Sequence, residues 1–290
     1  MVGMILVNGL IFGSIYALLA VGFSIIFGVA KILNLAHTAF YMITAFFLFI
    51  GTGILGFPLV LSTFFAILLT CIIGLGCYKL LFDRVKEHET AVIIISIALA
   101  MALQEIFLLI FGGHYYRVAP FIRGYVEIIG IRVLYQHLLT IGISIAALIG
   151  TWILLSKTNL GNAINAVAQD REIANIMGIN VSRVCMISMG ISVGLAGIAA
   201  VVVAPMLTVH SRMWASPLVI VLSVVVFGGL GSIKGSILAA FILGFAETTV
   251  IFLIPKGSFL RGAVSMSIMI LILLMRPEGL FGVAFEEERL

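Results

Sequence analysis

Asn34, His37, Thr38, Gln104, Glu105 and Glu247 are polar or ionisable side chains set within or beside long apolar runs. A histidine and two carboxylates in such places can relay protons, pair with a cation, or hydrogen-bond a small polar solute. Charge at membrane depth is costly, so groups of this kind usually face a bundle interior or a water-filled cavity. His37 follows Asn34 by one turn in "KILNLAHTAFYM" (31–42), Gln104 and Glu105 adjoin in "ALQEIF" (102–107), and Glu247 sits in "GFAETT" (244–249). Each also has a plainer reading. Lys31 is expected to snorkel to the headgroups, and Asn34 to cap the following helix or line a path. His37 is expected either to hydrogen-bond a neighbouring helix or to line that path. For Glu105 and Glu247 an interhelical hydrogen bond or a protonated carboxyl competes with solute contact.

None of these residues falls in a catalytic frame. The chain has no His-Glu-x-x-His pair. "GGLGSIKGS" (228–236) is not a phosphate loop, because its lysine precedes a glycine and the spacing is wrong. Cys71, Cys77 and Cys185 lie in apolar runs without metal-ligand spacing and read as buried thiols. The expectation is a non-enzyme with no metal, no cofactor and no nucleotide site of its own. If ATP drives it, another subunit must bind the ATP. The net charge of +4 points to membrane orientation rather than to nucleic acid.

The elements that must position these residues follow from composition. Of 290 residues, 63% are hydrophobic and 10% charged, against roughly a quarter charged in soluble domains. A soluble core cannot hide that much apolar side chain; a bilayer can. Nine apolar segments are expected, at about 5–28, 35–52, 57–78, 91–111, 137–155, 184–206, 217–233, 236–254 and 262–276. The first two are separated only by "GVAKILN" (28–34), so one of them is a candidate re-entrant segment. The opening run lacks a basic region and a cleavage site and reads as a first span, not a signal peptide. Backbone groups in lipid must be satisfied within each segment, so the segments are helices. The fold class is therefore all-α: a polytopic transmembrane helical bundle of about 8–10 segments, forming a single transmembrane domain over 1–290. Abundant Gly, Ala and Ser permit close helix packing.

Orientation follows from counting cations. With the N-terminus outside, Lys31, Lys79, Arg84, Lys86, Lys157, Arg171, Arg183, Lys234, Arg276 and Arg289 fall inside. Arg117, Arg123, Arg132, Arg212, Lys256 and Arg261 fall outside, which favours an N-out, cytoplasmic C-terminus arrangement. The outer 112–136 loop alternates apolar residues and is expected to form a short hairpin or lid. The inner 156–183 loop repeats apolar residues at Ile164, Val167, Ala168, Ile173, Ala174 and Met177, with Gly178 at a stop. It reads as a short amphipathic cytoplasmic helix or helix pair. A faint echo between 27–42 and 227–242, each opening on Phe-Gly, would fit a parallel repeat.

Four separated stretches resemble one family. Asn8-Gly9, six residues, then Tyr16-Ala17-Leu18 running into Asn34-Leu35-Ala36-His37 is similar to the opening of the branched-chain amino-acid type ABC-transporter permeases. "NAVAQDREIANIMGIN" (165–180), "VVFGGLGSIKGSILAAFILGFAE" (225–247) and "LILLMRPEGLFG" (271–282) resemble later parts of the same family, in order. The resemblance implies one half of an importer in a bacterial or archaeal cytoplasmic membrane, of the shorter permease type. Its implied partners are a second permease subunit, two ATP-binding cassette ATPase subunits and an extracytoplasmic solute-binding protein. It implies a coupling surface at Ala168, Gln169, Asp170, Glu172, Ala174 and Gly178. Branched-chain amino acids are the leading solute, with urea, amides or aromatic acids as alternatives. Thr38 stands where the family usually has glycine, and Asn162 and Asn165 where it commonly has arginine. An autonomous channel or an ion-coupled secondary transporter, titrating at Glu105 and Glu247, is the competing reading.

Overall fold

A computed structural model describes residues 2–85, 88–128, 131–254, 257–276 and 279–281. Lys86, Lys256 and Arg289, counted above, lie outside the described residues.

The long helices are α1 (Val2–Ala30), α2 (His37–Phe49), α3 (Leu59–Cys77), α5 (Glu89–Phe111), α6 (Tyr135–Lys157), α9 (Val181–Val203) and α11 (Ile233–Leu253). Between them lie the short α4 (Asp83–Val85), α7 (Asn159–Gln169) and α8 (Arg171–Ile176), with α10 (Ala215–Gly228) and α12 (Arg261–Met275) completing the set. A wider π-turn at Ile50–Ile54 prolongs α2, and one at Tyr78–Phe82 prolongs α3. Among the described residues, seven helices are long and apolar enough to cross a membrane, and two more are apolar but shorter. Together they correspond to the nine segments read from the sequence. The protein is a multi-pass helical membrane protein.

The packing is concentric. In α1, 83% of the most apolar window is buried, against 17% in α5 and 22% in α3 and α6, so α1 is the central post and those three face lipid or partners. Small residues let α11 approach α1. A Cβ added at Gly244 would lie 2.6 Å from the Gly13 backbone nitrogen and 3.1 Å from the Gly9 carbonyl. That proximity matters because lipid supplies no hydrophobic drive between helices; close van der Waals packing must hold them. Ser24 and Ser236 meet at 2.6 Å on the same interface.

The breaks between helices are built from backbone conformation. α1 stops where Lys31 adopts φ 48°. α2 is not capped by Asn34 in the expected position: the N-cap is Ala36, and the Asn34 Oδ1 accepts from the Ala36 N–H at 3.1 Å. Asparagine bonds its own chain two residues on more readily than it waits for a helix to begin. α10 ends at Gly228, earlier than its apolar run, because Gly229 and Gly231 take φ 99° and 82°. Its last carbonyls do not go unmet: Leu280 N–H donates to Phe227 O at 2.9 Å and Phe281 N–H to Gly228 O at 3.1 Å. Thus a 14-residue helix, too short to cross alone, is completed by returning chain.

Helix direction sorts the connections to two ends. One end carries Lys31, the 78–85 turn, α7, α8 and the 229–235 turn. The other carries the 112–134 segment and the 204–214 turns. There β1 (Tyr125–Ile128) and β2 (Ile131–Leu134) form an antiparallel hairpin, the element expected from the alternating pattern. Tyr116 and Val209 exchange backbone bonds of 2.9 and 2.8 Å, joining the two connections that cover this end.

Candidate functional site

A cavity of about 260 Å³ enters the hairpin end of the bundle. Phe12, Ile15, Tyr16 and Leu19 of α1 form one wall, Tyr41 of α2 stands opposite, and Ser216, Pro217 and Ile220 come from the start of α10. Thr208, His210 and Arg212 from the 204–214 turns lie at its rim. Apolar walls with a few polar groups are the usual make-up of a small-ligand site.

Tyr16 carries the electrostatics. Its hydroxyl donates to Glu247 Oε2 at 2.6 Å, and the Ser265 hydroxyl bonds Glu247 Oε1. Glu247 is 1% exposed and is joined to the cavity lining through Tyr16. Tyr41 is 2% exposed, and its hydroxyl has no hydrogen-bond partner among the described residues. Burial lowers the pKa of His210 at the rim, because a charged imidazole would lose hydration there.

His37 lies beneath the cavity floor. Its Nε2 is 3.1 Å from the Leu19 carbonyl and its Nδ1 3.1 Å from Ser192 Oγ, so one imidazole joins α1, α2 and α9. Nε2 must be the protonated nitrogen, since a carbonyl can only accept, and Nδ1 then accepts from the serine hydroxyl. Phe23 meets the ring edge-on at 6.0 Å. Gly22 makes room for it: a Cβ there would be 3.0 Å from His37 Cε1. Thr38, fully buried, has a hydroxyl without a hydrogen-bond partner among the described residues. Asn34 Nδ2 approaches Met189 Sδ at 3.7 Å.

The structure does not gather all six sequence candidates. Gln104 and Glu105 lie on α5, away from the cavity. Gln104 accepts from the Trp214 indole N–H at 2.8 Å and donates to Glu105 at 3.0 Å, and Glu105 is exposed. Asn34, His37 and Thr38 cluster at the α1–α2–α9 junction. Glu247 lies with Tyr16, nearer the cavity.

At the opposite end, α7 and α8 form a bent pair. Thr158 caps α7 by accepting from Gly161 N–H at 3.0 Å, and Asp170 caps α8 by accepting from Ile173 N–H at 2.9 Å. α7 buries Gly161, Ile164 and Val167. The Asp170 cap restarts the helix in a new direction, so α8 buries Ala174 and turns Ile173, Ile176 and Met177 outward. The single apolar stripe read across 164–177 is therefore two faces. Gln169, Asp170, Glu172 and Gly178 are exposed, while Ala168 is half-buried. Arg171 Nε and Nη2 donate to the Val29 carbonyl at 3.1 and 2.9 Å, fastening α8 to the last turn of α1. An open groove of about 530 Å³ runs beside Arg171, Glu172, Asn175 and the 178–182 turn.

Tyr16, Tyr41, Ser192, Arg171 and Ser265 were not among the sequence candidates for a site. Tyr16 falls within the Tyr-Ala-Leu motif, which marked it as notable without giving it a role. Serines and an arginine in helices carry no local signature of their partners.

Comparison with known proteins agrees with the architecture. Residues 5–275 match the family described as the branched-chain amino acid transport system permease component. The high-affinity branched-chain amino acid transport system permease protein BraD of Pseudomonas aeruginosa is 28% identical, over 96% of this chain and 94% of its own. The corresponding LivH protein of Escherichia coli K12 is 26% identical over 95% and 94%. A probable branched-chain amino acid transport permease protein LivH of Methanocaldococcus jannaschii is 25% identical over 98% and 94%. Among solved structures, PsaBC from Streptococcus pneumoniae in complex with Fab shares the fold with a chain of TM-score 0.53 and 16% identity, covering 94% of this chain and 92% of that one. The chain belongs to the family of branched-chain amino acid transport system permease components.

Proposed function

We propose that this chain is one permease subunit of an ABC importer, working in a cytoplasmic membrane with its C-terminus inside. A second permease subunit, two ATPase subunits and an extracytoplasmic solute-binding protein complete the assembly. The observation that carries the reading is the pairing of two features on α1, one beside its middle and one at its C-terminal end. A cavity opens beside Tyr16, and α8 is fastened to Val29 with Ile173, Ile176 and Met177 left exposed. A short helix with exposed apolar residues beside a groove suits docking into another protein. In this reading Ala168 to Gly178, with Gln169, Asp170 and Glu172 at the surface, meets the ATPase. The 112–136 and 207–216 connections, joined through Tyr116 and Val209, receive the binding protein.

The two ends communicate through α1 because it is the most buried helix and contacts both. ATPase closure pulls on α8, and Arg171 passes that displacement to the end of α1. The His37 bonds to Leu19 and Ser192 then hold or release the cavity floor. ATP binding and binding-protein docking bias the two states by differential affinity, with no covalent chemistry in this chain. The solute is a small polar molecule such as a branched-chain amino acid.

Glu247 favours one competing reading. A buried carboxylate one hydrogen bond behind a cavity could couple transport to protons. Affinity purification from native membranes separates the two. The importer reading requires ATPase subunits and a second permease to copurify with the chain. A chain that purifies alone, and moves solute with ATP depleted, contradicts it.

A further inference from the structure

At the end of the bundle that carries α7 and α8, a cleft of about 270 Å³ separates the π-turn closing α3 from the first turns of α9. Tyr78, Lys79 and Asp83 line one side, and Asn180, Ser182, Arg183 and Met186 the other. We propose that this cleft binds the phosphate of an anionic phospholipid headgroup. Lys79, Arg183, the start of α9 and the Tyr78 hydroxyl hold it. The place at the bilayer edge follows from where α3 ends and α9 begins; only the assignment to the inner leaflet rests on the orientation proposed above.

Charge favours an anion. Lys79 and Arg183 are exposed, and neither is ion-paired among the described residues. Asp83 opposes them, but two cations against one carboxylate leave the lining positive. Arg171 lies close enough to act electrostatically on Tyr78 and adds to the same field. The backbone contributes as well. Asn180 caps the 23-residue α9 by accepting from the Arg183 N–H at 2.9 Å. The Val181 and Ser182 N–H groups have no intrahelical acceptor, and the helix dipole favours an anion beside them.

A further observation is independent of charge. Tyr78 is 2% exposed, yet no described nitrogen or oxygen bonds its hydroxyl; the Cys185 thiol, a weak partner, lies beside it. A buried hydroxyl left unmet is destabilising, and a phosphate oxygen in the cleft accepts its proton.

The surroundings select a lipid over free phosphate. Leu69 and Ile72 of α3 and Leu80 of its π-turn are exposed large apolar side chains, and so is Met186 in the lining itself. Acyl chains lie along these residues while the headgroup fills the cleft. Basic pockets between helices at the cytoplasmic face are suited to anionic headgroups for the same electrostatic reason.

The test is lipid retention by the purified full chain, read by native mass spectrometry from detergent holding equal phosphatidylglycerol and phosphatidylcholine. The unaltered chain should keep phosphatidylglycerol in preference. Lys79→Gln with Arg183→Gln should weaken that retention about 30-fold, roughly fivefold for each cation. Arg117→Gln with Arg123→Gln, the same charge change at the hairpin end, should leave it unaltered. Tyr78→Phe should weaken it without lowering the melting temperature of the lipid-free chain, since the lost hydroxyl has no partner there. Lys79→Arg with Arg183→Lys keeps both charges and should retain the lipid, which separates loss of charge from loss of fold. Equal retention of the two lipids, equal loss in both double Gln variants, or displacement of the lipid by inorganic phosphate overturns the proposal. Detergent micelles have no sidedness, so the result stands apart from the orientation. Uptake that ignores ATP would remove the importer reading and leave the lipid result as it is.

Discussion

The Arg171 guanidinium and the Val29 carbonyl are 142 residues apart in sequence and joined by two hydrogen bonds of 3.1 and 2.9 Å. A cation on the last carbonyls of a helix is also favoured by the helix dipole. The pair fastens α8 to the last turn of α1, and in the proposed coupling, force applied to the exposed face of α8 is passed by it to the helix that lines the cavity.

Breaking that link should uncouple the two ends without unfolding the bundle. Arg171→Ala is expected to reduce ATP-driven uptake by about 5- to 150-fold, the usual span of coupling energies between sites, with ATPase subunits still bound. Uptake and ATP hydrolysis measured together in proteoliposomes check this. Uptake at the normal ratio to hydrolysis would show that Arg171 transmits nothing.

The α1–α11 crossing predicts a severe steric effect at one glycine. A Cβ at Gly244 would sit 2.6 Å from the Gly13 nitrogen, and backbone cannot rotate away as a side chain can. Gly244→Ala should lower stability by about 1–3 kcal/mol, with Gly244→Leu worse. A melting curve in detergent that is unchanged for both would contradict the crossing.

His37 holds three helices, so its loss is expected to act on stability before affinity. His37→Ala leaves the Leu19 carbonyl and Ser192 hydroxyl without this partner and should cost about 1–3 kcal/mol. His37→Gln, which can still donate, should recover part of it. A variant of normal stability with a raised KM would instead place solute against His37.

His210 provides a pH signature. Burial lowers its pKa below that of the unfolded chain, so the unfolded state binds the proton at higher pH than the native state. Stability is therefore fully present above about pH 6.5 and declines as pH falls below it through the lowered native value. His210→Gln should remove that part of the decline. Melting temperatures of both proteins between neutral and mildly acidic pH test it, and parallel curves would be contrary.

Much of the fold was legible because each apolar run is long and lipid forces each run to be a helix. Segments near 91–111 and 137–155 correspond to α5 and α6 for that reason. The hairpin was legible too, from period-two alternation. The end of α10 was not, since apolar residues continue past Gly228 and only the positive φ of Gly229 stops the helix. The orientation of α8 was hidden because Asp170 interrupts one apolar stripe with a cap, and periodicity counted across a cap assigns Ile173 and Met177 to the wrong face. Among candidate site residues, ionisable side chains in apolar runs were easy to find, yet Glu247 and Glu105 look alike in sequence. One is buried against Tyr16 and Ser265; the other is exposed on α5. That difference depends on which face of a helix meets α1, and it arises from packing between segments far apart in the chain.

The central claim is that this chain moves solute only when ATPase subunits act on it. The most direct measurement is uptake of labelled leucine into proteoliposomes holding the copurified assembly and its binding protein, with ATP supplied on the ATPase side. The account predicts uptake that needs ATP, needs the binding protein, survives dissipation of ion gradients, and falls sharply in Arg171→Ala. Uptake driven by a proton gradient without ATP, and abolished by Glu247→Gln, would contradict it.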